Sequence, residues 1–155
     1  WYEDPLVEED IYNYKKLTKK LDIPVIATEY IPGRFYGVPE WITQNATDII
    51  RGDVVAMGGI TPLIKLAHLA DAFNMNCEIH SGSGNSLDNV ANLHVIMSIP
   101  NCDFYEFFPC TGENRFGLIE EIEFNKGYVT APTKPGLGYE IDWDLLNKSH
   151  VTTIE

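Results

Sequence analysis

Five residues that can bind a metal ion or move a proton recur at nearly equal intervals along the chain: Glu3, Glu29, Asp53, His80 and Glu106. The intervals between them are 26, 24, 27 and 26 residues. One β-strand and one helix with their connections take up a stretch of that length. Carboxylate oxygens are ligands that Mg²⁺ prefers, and an imidazole can give or take a proton near neutral pH. The set predicts one site for metal binding and acid–base chemistry.

The elements that must position these residues alternate along the chain. Strand-like segments rich in β-branched and aromatic residues cover 1–3, 23–29, 48–55, 75–80 and 101–106. Helix-like segments lie between them, at 8–21, 38–46, 61–74 and 86–98. Strict alternation predicts parallel strands joined by helical crossovers.

Two parallel architectures could align the strand ends. A (β/α)8 barrel brings them to one rim, whereas a doubly wound open sheet spreads them along an edge. The chain contains neither the glycine-rich dinucleotide fingerprint nor a Walker loop. An α/β fold of the barrel type is therefore favoured. Any one of the five residues alone could be structural, but the regular set is hard to explain by stability.

The pattern changes near residue 117. The sequence LIEEIEFNKGYVTAP predicts a hairpin that turns at residues 125–127, and a Pro- and Gly-containing connection then leads into a short helix. We therefore divide the chain into a barrel half, 1–116, and a C-terminal hairpin and tail, 117–155, packed on the barrel or capping region.

Composition narrows the classes of partner. The net charge of −12 disfavours nucleic acid and anionic membrane surfaces as partners. It suits a cation-binding protein, although surplus acids are explained more simply by solubility. No apolar run reaches the ~18 residues of a membrane span. Three cysteines without zinc-site spacing indicate reduced thiols and a cytoplasmic location.

Several motifs, in order, resemble those of a known family. They are WYEDP, VIATE, DVVAMGGIT, CEIHSGSGNS, CDFYE and PGLGYEID. Together they resemble the C-terminal half of an enolase-superfamily protein of the mandelate racemase subgroup, related to mandelate racemase and muconate lactonizing enzyme. The resemblance runs from one end of the chain to the other, and it implies an α/β fold that forms half of a (β/α)8 barrel, strands 4 to 8.

The resemblance implies a role for each of the five regularly spaced residues. Glu3 and Glu29 would be Mg²⁺ ligands. His80 would be a general acid or base, paired with Asp53 in a dyad that fixes its tautomer. Glu106 would donate a hydrogen bond to the substrate carboxylate.

Weaker candidates for substrate binding lie nearby. Tyr30 and Arg34 follow the second strand-like segment, and surface packing explains them equally well. Glu78 lies two residues before His80, so strand alternation would point both side chains to the same face.

The resemblance also implies a reaction. A proton is removed from the carbon α to a carboxylate, and Mg²⁺ stabilises the resulting enediolate. Dehydration of an acid sugar to a 2-keto-3-deoxy acid, a lyase reaction, is the leading expectation. Racemisation or epimerisation is the runner-up, and cycloisomerisation is a third option. A metal-binding structural half-barrel without catalysis is the alternative from another class, but magnesium binding alone needs none of Asp53, His80 and Glu106.

The resemblance places further parts of the site before Trp1. These are a capping domain and the first three barrel strands, with the third metal ligand and the second-strand lysines. Open strand edges would invite association, so we expect a homo-oligomer.

Overall fold

The computed structural model describes residues 1–81, 85–108 and 117–148. Within these ranges the main sheet has four short parallel strands in the order β1-β2-β3-β4. They are β1 (Tyr2–Glu3), β2 (Val25–Ala27), β3 (Ile49–Gly52) and β4 (Cys77–Ile79). Neighbours in sequence are neighbours in space, as in a barrel, whereas the order of a doubly wound sheet reverses at a switch point. The predicted parallel half-barrel is confirmed.

Helices fill each crossover and follow the last strand of the sheet. They are α1 (Ile11–Lys20), a 3-10 turn (Arg34–Tyr36), α2 (Val38–Thr43), α3 (Val54–Met57), α4 (Ile60–Ala72) and α5 (Ser86–Ile96). Asp10 begins α1 by accepting the Asn13 amide, and Lys19 and Lys20 end it, which suits the helix dipole. None of the helices in the described ranges is both long and apolar enough to cross a membrane.

The main core lies between the sheet and these helices. Strand residues Val25, Ile50 and Cys77 pack there with Leu63 and other residues of the helices. Gly52 also faces α4, because a Cβ atom at this position would lie 2.8 Å from Leu63 Cδ1. Successive side chains of a strand point to opposite faces of the sheet, so the residues next to these core-facing positions point toward the other face. The site is built on that face.

The strand predicted at 101–106 is absent. A backbone hydrogen bond from the Cys77 amide to the Asn101 carbonyl, 2.7 Å, joins this segment to β4. Beyond it, the buried Glu78 carboxylate accepts the amides of Asp103 and Phe104, each at 3.2 Å. In a β-strand, these two amides would donate to backbone carbonyls of neighbouring strands. Here the Glu78 carboxylate accepts them instead, so the segment does not pair as a strand.

The C-terminal part forms the hairpin expected from its sequence, with β5 (Phe124–Asn125) antiparallel to β6 (Tyr128–Val129). Lys126 and Gly127 both have positive φ, which fits a tight turn. A second apolar cluster joins this part to α5 and includes Val90, Leu93, Leu118 and Ile122. The last helix of the described residues is α6 (Trp143–Lys148). The division at residue 117 stays a prediction.

Candidate active site

A buried arginine lies at the centre of the predicted acidic site. Arg51, in β3, has a side chain only 1% exposed. Its guanidinium contacts Glu3 Oε1 at 3.0 Å, Glu29 Oε2 at 3.4 Å and His80 Nδ1 at 2.6 Å, and it also forms an ion pair with Glu106. Four of the five regularly spaced residues are therefore brought together, around a cation that the sequence analysis missed.

The sequence did carry a signal for this arginine. Arg51 lies two residues before Asp53 in an otherwise apolar strand. A charged side chain in such a strand is costly to bury unless acidic partners surround it. The four acids and the histidine had already been assigned to one rim, so a basic residue inside β3 could have been assigned to the same cluster.

Glu29 holds the ring of His80. The His80 Nδ1 atom lies 3.2 Å from Glu29 Oε2. This hydrogen bond, together with the negative charges of Glu29 and Glu106, raises the pKa of His80 above its usual range, although burial and the Arg51 charge act to lower that pKa. Because Nδ1 lies between a guanidinium donor and a carboxylate acceptor, Nε2 is the ring nitrogen left for a ligand.

The expected hydrogen bond between Asp53 and His80 is absent, which corrects the predicted dyad. Asp53 is fully buried, and its Oδ1 accepts the amides of Val55 and Ala56 at 2.7 and 2.8 Å. Its Oδ2 accepts Asn92 Nδ2 at 2.9 Å. The reason is local: β3 ends at Gly52, and Asp53 is the N-cap of α3 rather than a strand-end residue.

Asn92 extends this arrangement into a buried polar network. Its Oδ1 accepts the Val54 amide at 3.0 Å, and its Nδ2 also donates to Asp88 Oδ1 at 3.1 Å. Neighbouring Asn89 accepts the Ser81 hydroxyl at 2.5 Å. Buried amides in the sequence DNVAN of α5 were the available signal, since such groups need partners.

Thr28 is a second residue that the sequence analysis missed. It follows β2, is fully buried and has φ 102°, which is strained for a β-branched residue. Its hydroxyl donates to the Arg51 carbonyl at 2.8 Å and accepts the Arg51 amide at 3.0 Å. The turn at Thr28 redirects the chain before Glu29, while its hydroxyl fixes the Arg51 backbone.

The three weaker candidates have different surroundings. Tyr30 is half exposed, and burial of its hydroxyl, followed by the adjacent Glu29, raises its pKa. The Arg34 Nη1 donates to the Ala56 carbonyl at 2.6 Å and so joins the 3-10 turn to α3, and a substrate contact by Arg34 stays a prediction. The Glu78 carboxylate accepts the amides of Asp103 and Phe104, and a role for Glu78 in substrate binding stays a prediction.

The carboxylates of Glu3 and Glu29 fit a cation. Glu29 is buried, yet its Oε1 has no hydrogen-bond partner, which is costly for a charged oxygen. Glu3 pairs with the same guanidinium, so both carboxylates lie beside one positive charge. The described ranges contain no group of three or more His, Cys, Asp or Glu arranged for a metal. Here the chain offers two carboxylates for a metal and no complete set of ligands.

Comparisons with known proteins place this geometry in a family. The family model described as "Enolase C-terminal domain-like" matches residues 1–145. The chain belongs to this enolase family. A solved mandelate racemase/muconate lactonizing enzyme-like protein from Pseudovibrio sp. is 31% identical, with a TM-score of 0.88, and the match covers 98% of this chain and 41% of that one. The resemblance stated from the motifs is confirmed.

Relatives with named activities are of two kinds. A solved D-glucarate dehydratase from Agrobacterium tumefaciens, complexed with magnesium, is 36% identical with a TM-score of 0.81, and the match covers 96% of this chain and 39% of that one. An N-succinyl-L-Arg/Lys racemase of Bacillus cereus is 28% identical over 96% of this chain and 39% of that protein. The enolase-like chain thus spans about two fifths of such relatives.

Proposed function

We propose that this chain contributes metal ligands and an acid–base histidine to an enzyme that dehydrates an acid sugar to a 2-keto-3-deoxy acid. The observation that carries the proposal is the contact of 3.2 Å between His80 Nδ1 and Glu29, a buried carboxylate with one unpartnered oxygen. Metal-binding and proton-transfer groups are thereby joined in one cluster. The magnesium-bound relative D-glucarate dehydratase supports the proposal.

Glu3 and Glu29 would hold the Mg²⁺, and they supply the oxygen ligands that this cation prefers. When bound, the ion supplies positive charge that favours loss of the proton α to the substrate carboxylate. The donors beyond these two would come from outside the described residues.

His80 fits the acid step of a dehydration. Glu29 holds Nδ1 and leaves Nε2 free to face a substrate. The raised pKa of His80 favours the protonated ring, which can deliver its Nε2 proton to a departing β-hydroxyl. A base takes the α-proton, the hydroxyl leaves as water, and the electron pair of the broken carbon–hydrogen bond forms the new carbon–carbon double bond. The resulting enol becomes the 2-keto acid.

Glu106 stays a prediction as a contact for the substrate carboxylate. Its side chain is 45% exposed, so a ligand can reach it. In the structure it pairs with Arg51, and a carboxylate accepts hydrogen bonds instead of donating them. The donor role therefore requires a protonated Glu106.

Replacing the histidine tests the proposal directly. In the full-length protein, His80→Asn should lower the dehydration of acid sugars at least about a hundredfold, because the proton donor is lost. The measurement is formation of 2-keto acid from a set of acid sugars with Mg²⁺ present. His94→Asn is the matched control, since His94 lies on α5 and contacts the Leu137 carbonyl. Undiminished turnover by His80→Asn would show that His80 is not the acid.

A racemase or epimerase is the second candidate, favoured by the similarity to the Bacillus cereus racemase. Both reactions begin with removal of the same proton, but a racemase returns a proton to carbon. Incubation in deuterium oxide separates them. A racemase incorporates deuterium at the α-carbon without loss of a hydroxyl, whereas a dehydratase yields 2-keto acid. A structural protein without catalysis would do neither.

A further inference from the structure

We propose that Arg51 is an internal counter-ion that competes with the divalent cation for Glu3 and Glu29, so that metal binding requires its guanidinium to leave these carboxylates. The inference rests on the proposed metal site. It assigns to this arginine a role in setting metal affinity.

One guanidinium pairs with three carboxylates and offsets part of their charge. Arg51 pairs with Glu3 at 3.0 Å, with Glu29 at 3.4 Å and with Glu106. Among the described residues, no other lysine or arginine pairs with any of these three acids. Without the arginine, the buried Glu29 carboxylate would lie near two further negative charges without a cation beside it, which is unfavourable.

The guanidinium offsets part of the charge of the cluster, and it leaves two polar atoms of the cluster without a hydrogen-bond partner. Arg51 Nε has no hydrogen-bond partner, although Glu29 Oε2 lies 3.4 Å from it. Glu29 Oε1 is also unpartnered. A guanidinium needs planar, directed hydrogen bonds, whereas Mg²⁺ takes carboxylate oxygens in an octahedral shell that water molecules can complete. The same carboxylates therefore leave room for a better-matched cation.

The surroundings give the displaced guanidinium another partner. It already reaches Glu106, which is 45% exposed, whereas Glu29 is 1% exposed. If a cation takes Glu3 and Glu29, Arg51 can stay paired with Glu106. Thr28 holds both the amide and the carbonyl of Arg51, so the exchange involves the side chain and not the strand.

The test is a titration of the full-length protein with Mg²⁺, without substrate. Isothermal calorimetry gives the Kd, and thermal unfolding with and without Mg²⁺ gives the rise in Tm. Arg51→Met should lower the Kd for Mg²⁺ about tenfold, because a competing positive charge is removed. It should also lower the metal-free Tm and enlarge the rise that Mg²⁺ causes.

Two further variants control the result. Lys134→Met removes an equal charge from the exposed Lys134–Glu120 pair and should leave the Kd unchanged. Arg51→Lys keeps the charge on a side chain that cannot bridge the acids, so its Kd should fall between those of the wild type and Arg51→Met. If Arg51→Met does not fold without metal, the Kd of Arg51→Lys for Mg²⁺ tests the inference in its place. An unchanged or higher Kd in the folded Arg51 variants would overturn the inference.

Failure of the inference can be told from failure of the proposed function. Glu29→Gln should abolish saturable Mg²⁺ binding if Glu29 is a ligand. If the wild-type protein binds no Mg²⁺, or if Glu29→Gln binds it equally well, the proposed metal site is wrong and the inference falls with it. If Glu29→Gln loses binding while the Arg51 variants keep the wild-type Kd, only the inference is wrong.

Discussion

At the scale of single residues, the site depends on side chains that hold backbone groups in place. Thr28 has a strained backbone conformation with positive φ. Its hydroxyl donates to the carbonyl of Arg51 and accepts the amide of the same residue. Strain of this kind persists where the surrounding contacts enforce it. Because Glu29 follows Thr28 directly, the same turn positions a proposed metal ligand and the arginine that pairs with it.

Removing the Thr28 hydroxyl should therefore destabilise the fold. Thr28→Val keeps the shape of the side chain but leaves the buried amide and carbonyl of Arg51 without this partner. We expect a loss of about 2–4 kcal/mol in the free energy of unfolding. Thr28→Ser keeps the hydroxyl and should lose less. Denaturant unfolding of the full-length protein measures both, and equal stability of the two variants would contradict the role given to the hydroxyl.

At the scale of elements, short helices and loops fix the strand ends. The Asp53 carboxylate begins α3 and binds Asn92 of α5, so it joins two helices beside the site. Tyr14 of α1 plays a similar part on the outer side of the sheet. Its hydroxyl donates to the Leu6 carbonyl at 2.9 Å and accepts the Leu6 amide at 3.3 Å. Asp53 and Tyr14 therefore each fix the chain between two elements by hydrogen bonds that involve a helix.

The helix-capping role of Asp53 can be separated from a dyad role. Asp53→Ala should lower the free energy of unfolding by about 1–2 kcal/mol, because a helix cap is lost. In Asn92→Ala protein the same substitution should cost a different amount, since the two side chains are bonded and their effects do not add. Denaturant unfolding of the four proteins in this cycle gives the coupling. Strict additivity would show that the Asp53–Asn92 bond contributes nothing.

Tyr14 predicts a loss of stability in alkali. Burial raises its pKa from 10.0 to about 12. A raised pKa in the folded state means that its contribution is fully present below pH 10 and is lost as the pH rises through about 12. Tyr14→Phe lacks this group, so the stability advantage of the wild type over Tyr14→Phe should shrink above pH 10. Unfolding measured from pH 8 to pH 12 tests this, and a constant difference would contradict it.

At the scale of the whole molecule, regular repetition made the site predictable in outline. Parallel strand–helix units repeat with similar lengths. The spacing of Glu3, Glu29, His80 and Glu106 along the chain was therefore enough to predict that these residues lie close together. Spacing does not give the direction of a side chain or its hydrogen-bond partner. For that reason the contacts of Arg51 were missed.

The partner of Asp53 was predicted wrongly for a related reason. A polar residue after a strand can point into a barrel or begin a helix, and both choices have the same spacing. The structure decides for the helix, because α3 starts at the next residue. The segment 101–106 was misjudged because the Glu78 side chain, which no spacing reveals, takes the amides of Asp103 and Phe104.

The open edge of the sheet leads to a prediction for residues 1–155 studied alone. In the described ranges β1 pairs only with β2, and β1 carries the half-exposed side chain of Tyr2. Unpaired edges with apolar side chains favour association between chains. Sedimentation velocity should therefore show self-association that increases with concentration. Tyr2→Lys should weaken it by placing a charge on the edge, whereas Tyr12→Lys, at an exposed position on α1, should not. Equal association of both variants would mean that another surface is responsible.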